Sequence, residues 1–251
     1  MTHTPPPDPD RAIERVEAPG VRWHAEPDRE TLARVAAASI LAAAADAIRS
    51  RGRFLLVLAG GETPRAAYTR LAAARADWSA WHIYYGDERC LPADDPARNA
   101  RMAGETWLDH VAIPAAQCHP IPAEQGAEPA ARAYRETLRA VGAFDLVLLG
   151  LGEDGHTASL FPGHDGGVAP DAPDALAVVD APKPPAERVS LSAARLSRAR
   201  QVIVLVAGES KRDAVARWRA GATIPAAAIT PAAGVDVLVE SGLLAREPSA
   251  G

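Results

Sequence analysis

Cysteine is nearly absent from this chain: Cys90 and Cys118 stand alone, without the paired spacing of a zinc site or a dithiol redox motif. An excess of positive charge is missing too. The formal net charge of −5 provides no global basic field, so a nucleic-acid partner held by phosphate attraction is not expected. Any anionic ligand must instead be met by a local cluster. Long unbroken apolar runs are also lacking: the longest apolar stretch, Leu32 to Ile48, is interrupted by Arg34, Ser39 and Asp46, and no membrane partner is expected. No secretory leader is recognisable, so the expected location is cytoplasmic and reducing. Several catalytic patterns are absent as well. There is no Gly-x-Ser-x-Gly elbow, no His-Glu-x-x-His and no phosphate-binding loop ending in Gly-Lys, which leaves acyl-enzyme, metalloprotease and nucleotide-hydrolase chemistry without residues.

What is present is an alternation of buried-looking strands and helical segments. With 251 residues, 48% of them hydrophobic, the chain can build one large α/β domain. Residues 1–10 carry four prolines and two aspartates with no apolar anchor and read as a disordered tail; 11–246 read as one domain and 247–251 as a frayed end. Strands are expected at Val21 to His24, Arg53 to Ala59, Trp81 to Tyr85, Phe144 to Leu149, Arg188 to Ser192, Gln201 to Ala207 and Val235 to Val239, and a short one within Ile113 to Ile121. Helices are expected from Pro27-Asp28 onward, after Pro64, over Met102 to Leu108, over Pro129 to Val141, and after Gly208. Near-continuous apolar strands separated by helices predict a three-layer α/β/α fold with a mostly parallel, Rossmann-like central sheet. Residues 162–188, rich in proline and glycine, form a long irregular segment, with Ala175 to Asp180 pairing as a strand and the whole folding as a rim over the site.

The chemistry gathers where strands end in glycine. Gly60 and Gly61 follow one strand, and Thr63 and Pro64 suit the cap and first position of the next helix, so freed N–H groups and the helix dipole make an anion site. Gly208 to Lys211 repeats the device, and a lysine in a first helical turn is electrostatically poor unless an anion offsets it. Gly86 to Arg89 delivers Asp87 and Arg89 past a third strand, while Glu88 reads as solvated surface. The turn Gly150 to His156 carries Asp154 and His156. Its Gly-x-Gly-x-x-Gly spacing matches a dinucleotide fingerprint, but only about six residues separate Gly155 from Pro162, too few for a crossover helix. His156 with Asp154, or His164 with Asp165, suggests a metal site only weakly; neither a metal nor another cofactor is expected.

The stretch Gly150 to Gly163, GLGEDGHTASLFPG, resembles the signature of the 6-phosphogluconolactonases, a family that shares its superfamily with the glucosamine-6-phosphate deaminases. AGGETPRAAYTRL (59–71), YGDERCLPADDPARNARM (85–102) and PKPPAERVSLSAARLSRARQVIVLVAGESK (182–211) follow in the family's order, so that the resemblance spans roughly residues 20 to 245. It implies hydrolysis of 6-phospho-D-glucono-1,5-lactone and tilts Asp87, Arg89 and Asn99 towards the site. The residues themselves suggest His156 as general base, a carboxylate from Asp154 or Asp87 orienting it, and Gly60, Gly61, Thr63, Arg188 and Lys211 holding the sugar phosphate together with Arg89 and Asn99. Histidine, with an unperturbed pKa of about 6.5, suits the exchange of a proton near neutrality. Two departures stand out: Glu62 replaces a small hydroxyl residue and is expected to point into solvent, and Arg98 replaces a serine before Asn99. A deaminase would carry a glutamate after the shared Asp-Gly-His, and Thr157 to Phe161 contain no carboxylate. A sugar-phosphate sensor would need neither Asp154 nor His156. The oligomeric state is left open by the sequence.

Overall fold

A computed structural model describes residues 20–244; the expected terminal tails lie outside these residues. The chain runs through β1 (Val21–Glu26), α1 (Arg29–Arg51), β2 (Phe54–Leu58), α2 (Glu62–Ala72), β3 (Trp81–Tyr85), β4 (Asp87–Arg89), α3 (Asn99–Thr106) and α4 (Ala127–Leu138). It continues through β5 (Leu146–Gly150), β6 (Ala175–Val178), β7 (Arg188–Leu191), α5 (Ala193–Ser197), β8 (Val202–Val206), α6 (Arg212–Arg219) and β9 (Val235–Glu240). Six strands form a parallel sheet in the order β1-β9-β8-β5-β2-β3, flanked by helices, and β4, β7 and β6 form a small antiparallel sheet beside it.

The central strands are buried along their length because both faces are covered. Every residue of β2 and β8 is buried, as the apolar runs FLLVL and VIVLV require. Helix α1 starts on Asp28, whose side chain accepts from the Thr31 N–H at 2.7 Å, and stops at Gly52, whose φ of 74° is the left-handed conformation of a helix C-terminus. By length and composition alone α1 could cross a membrane, but 56% of its apolar window is buried inside the protein, with Leu32 and Ile40 wholly enclosed. Although aromatics are few, they are concentrated: Phe54, Trp81, Trp107 and Trp78 meet edge-on or tilted with ring centroids 4.7–5.9 Å apart.

Several boundaries differ from those expected. The segment Ile113 to Ile121 forms no strand; it makes a 3-10 turn at Ala115–Gln117 and a single bridge between Cys118 and Ile83. Prolines at 114 and 120 withhold the donors a ladder would need. Pro225–Ala228 forms a further 3-10 turn. The strand expected in the irregular segment exists as β6, paired with β7.

The sheet order fixes where a ligand can sit. From β2 the chain steps outward to β3, then returns to the other side of β2 to lay down β5 and, beyond it, β8 and β9. Strand order therefore reverses between β2 and β5, and the loops leaving their carboxyl ends must part and leave a crevice.

Candidate active site

A cleft opens at that point, bordered by Gly60 and Gly61 after β2, Asp87 and Arg89 after β3, and Gly152 and His156 after β5. Asn99, Arg188 and Lys211 also line it, bringing residues from distant parts of the chain into one crevice. Two buried tyrosines fix its walls. Tyr68 of α2 both accepts from the Ala59 N–H at 3.0 Å and donates to the Ala59 carbonyl at 2.9 Å. Tyr134 of α4 does the same for Tyr85, at 2.9 and 3.2 Å. Each phenol satisfies the backbone at a strand end, one residue before the glycine where the chain turns. Burial pushes both hydroxyls well above the usual range, so they stay protonated.

His156 is set by its own turn. Its Nδ1 lies 2.6 Å from Asp154 Oδ1, which also accepts the His156 backbone N–H at 3.1 Å. Burial alone would raise the Asp154 carboxyl, but these hydrogen bonds and the imidazole's charge outweigh it and hold the group below its ordinary value. A carboxylate at Nδ1 selects the tautomer with the proton there, leaving a lone pair on Nε2. No described residue hydrogen-bonds that Nε2. The ring packs against Phe161 with centroids 4.8 Å apart, and Thr157 Oγ1 ties the loop back to the Gly150 carbonyl at 2.8 Å. Asp87, the other candidate for orienting the base, does not bond to His156. Its Oδ2 accepts from Ser159 Oγ at 2.6 Å and its Oδ1 from Asn99 Nδ2 at 3.1 Å.

Glu88 is a correction: expected in solvent, it is fully buried. Its carboxylate accepts the backbone N–H groups of Arg89, Asn99 and Ala100 at 2.7–2.8 Å, closing the N-terminus of α3. Burial pushes its pKa up, opposed by those three donors and by Arg98. Arg98 Nε lies 3.2 Å from Glu88, close enough for an ion pair but without hydrogen-bond alignment. The guanidinium also donates to the carbonyls of Leu91 and Ile121 at 2.8 and 2.9 Å, so the arginine standing in place of a serine braces the frame beneath Asn99. Its signal in the sequence was the charge pair Glu88 and Arg98, which only folding brings together.

The cations differ in how free they are. Arg188 spends its Nε on the Pro185 carbonyl at 3.1 Å and one Nη on the Lys183 carbonyl at 2.9 Å. Burial lowers its pKa, with Asp87 opposing and Arg89 adding. Arg89 donates to the Ala97 carbonyl, while its buried Nε has no hydrogen-bond partner among the described residues. Lys211 ends a 3-10 turn just ahead of α6 and makes no salt bridge with any described residue. Burial lowers its pKa, partly offset by Glu153 and Asp154. Lys211, Gly60 and Gly61 also border a second, adjoining cavity, and it is there, not in the cleft, that Thr63 lies. Thr63 does not cap α2 either. Gly61, with φ 102° and ψ 169°, is the capping residue and Glu62 the first in the helix, because glycine lets the chain turn in earlier than Thr63 could. The α2 N-terminus thus has no side-chain cap. Glu62 points outward as expected, 84% exposed and 3.4 Å from Arg65. The 162–188 segment reaches the rim through Lys183, 3.3 Å from Glu153. His164 pairs with Asp180 at 3.3 Å, while Asp165 accepts from the Gly167 N–H, so these two residues do not form a joint metal cradle.

Residues 27–238 match the family model of glucosamine-6-phosphate isomerases/6-phosphogluconolactonase. The chain belongs to this family. It is 37% identical to the 6-phosphogluconolactonase of Mycobacterium tuberculosis over 240 residues, covering 89% of this chain and 97% of that protein. It is 39% identical to that of Streptomyces coelicolor over 213 residues, covering 78% of this chain and 81% of that one. The solved 6-phosphogluconolactonase of Trypanosoma brucei superposes with a TM-score of 0.77 at 28% identity, covering 91% of this chain and 98% of its own. Within the family, the cleft at the β2/β5 switch is where the conspicuous glycines and the charged residues of this chain converge.

Proposed function

We propose that the chain hydrolyses 6-phospho-D-glucono-1,5-lactone to 6-phospho-D-gluconate, by attack of a His156-activated water on the lactone carbonyl and without a covalent intermediate. The observation that carries this reading is the 2.6 Å contact between His156 Nδ1 and Asp154 in a cleft lined by Arg89, Arg188 and Lys211. Asp154 orients the ring and stabilises the imidazolium; Nε2 takes a proton from water as its oxygen bonds to C1. When the tetrahedral intermediate collapses, the C1–ring-oxygen bond breaks and the imidazolium returns that proton to the departing ring oxygen. The products are a carboxylic acid, which ionises, and a free 5-hydroxyl.

In this reading the phosphate sits where the two cavities meet, against the Gly60–Gly61 turn, the uncapped α2 N-terminus with Thr63, and Lys211. Oriented N–H groups and the helix dipole favour an anion there. Arg89, Asn99 and Arg188, across the cleft, hold the sugar. A deaminase reading lacks its carboxylate: of the residues after His156, Thr157 is bonded to the Gly150 carbonyl and Ser159 to Asp87. A non-catalytic sensor has no use for a histidine so oriented.

Acid release from freshly prepared 6-phosphogluconolactone tests the proposal. The wild type should far exceed the spontaneous rate, and His156→Ala should lower kcat about 10²- to 10⁴-fold, the range for loss of a general base. A wild type no faster than background overturns the lactonase reading; full activity in His156→Ala overturns the assignment of the base.

A further inference from the structure

Asp87 has a role to fill that the base and its orienting partner do not use. It is buried, lines the cleft, and makes no hydrogen bond or ion pair with His156, Arg89 or Arg188 among the described residues. Its orientation is nevertheless fixed from two sides. Ser159 Oγ donates to Oδ2 at 2.6 Å and Asn99 Nδ2 to Oδ1 at 3.1 Å, with Asn99 also donating to the Asp87 carbonyl at 3.0 Å. Ser159 is itself held, its N–H donating to Ser190 Oγ at 3.2 Å. A carboxylate can accept about four hydrogen bonds, and the protein supplies two, so the remaining acceptor capacity is turned to the cleft. A buried charge left half-solvated this way is costly unless a ligand completes it.

The chemistry of what completes it is narrow. A phosphate would be repelled, and the lactone carbonyl and ring oxygen have no proton to give. A sugar hydroxyl has one. We propose that Asp87 is a specificity-determining residue that accepts a hydrogen bond from one ring hydroxyl of the substrate, and that Ser159 and Asn99 are the positioning residues that aim it. This rests on the lactonase reading and narrows the part Asp87 plays in it from acid–base work to recognition. Through the same bond Ser159 ties the loop that carries His156 to β4.

The test is a cycle between enzyme and substrate. The 1,5-lactone has free hydroxyls at C2, C3 and C4, so the three monodeoxy 6-phosphogluconolactones cover every donor. Asp87→Asn removes the charge and replaces one of the two acceptor oxygens by an N–H donor without removing volume. Against the full lactone it should lower kcat/KM about 10- to 100-fold, mainly through KM, with the pH dependence of kcat unchanged. On one of the three deoxy lactones the same substitution should cost less than about 3-fold, because the bond is already gone. Ser159→Ala, which leaves the charge in place, should show a smaller loss of about 3- to 10-fold, blunted on the same deoxy lactone. An Asp87→Asn effect of equal size on all three deoxy lactones overturns the proposal, as does a loss confined to kcat with a displaced pH profile. The wild-type rate on the full lactone judges the lactonase reading separately.

Discussion

Two glycine turns face each other across the cleft, and each is glycine because a side chain presses onto it. A Cβ added to Gly152 would lie 2.0 Å from His156 Nδ1; one added to Gly60 would lie 2.0 Å from Asn99 Oδ1. The contacts are equally tight, yet they arise differently. His156 comes from the same turn as Gly152, whereas Asn99 arrives from α3, held there by Glu88 and Arg98. One turn is organised by its own residues and the other by the packing of distant elements. The local turn shapes the proposed base and the long-range one shapes the pocket proposed to receive the sugar.

Substituting each glycine separates these roles. The larger effect belongs to Gly152→Ala, which forces the imidazole from its place beside Asp154. It should lower kcat by about 10²-fold or more with KM little changed, as steady-state lactone hydrolysis would reveal. A comparable rise in KM instead would mean that this turn serves binding. Gly60→Ala should act through KM, about 10-fold, because Asn99 must move and Asp87 then loses one of its two donors. If Gly60→Ala lowered kcat as far as Gly152→Ala does, the distinction between the turns would fail.

The smallest effect is a pH dependence of the local turn. The Asp154 carboxyl is held below its ordinary value, so its contribution to stability is present above the unfolded pKa, about 3.9, and is lost as pH falls through the lower folded value. With the side chain 37% exposed, solvent screening limits this to a few tenths of a kcal/mol. The difference in denaturant stability between the wild type and Asp154→Asn should therefore shrink as pH drops below about 3.9 and hold steady above it. A difference that grew on acidification would remove the pairing seen here.

Much of this was legible beforehand, and the part that was not follows a pattern. The buried strands and their glycine ends could be read because apolar runs and turn residues encode local conformation. The Asp154–His156 contact was one of two that could be read, with Asp87 the alternative carboxylate, because its partners are two residues apart. The burial of Glu88 could not, since a charged residue after a strand is usually in water and only α3 supplies its three donors. The phenols of Tyr68 and Tyr134 gave no sign of bonding Ala59, just past β2, and Tyr85, the last residue of β3. Only the capping role of Thr63 was misjudged, because Gly61 begins the helix two residues sooner than a threonine cap would have allowed.

By itself the chain determined its alternating elements, the glycine turns that end four of its strands, and the histidine with its neighbouring aspartate. These depend on interactions spanning a few residues. Tertiary structure alone decided that Asn99 would close against Gly60, that Ser159 and not His156 would take Asp87, and that Glu88 would lie beneath both. Those choices follow from the order in which parallel strands pack, and that order brings together side chains that no local preference could pair.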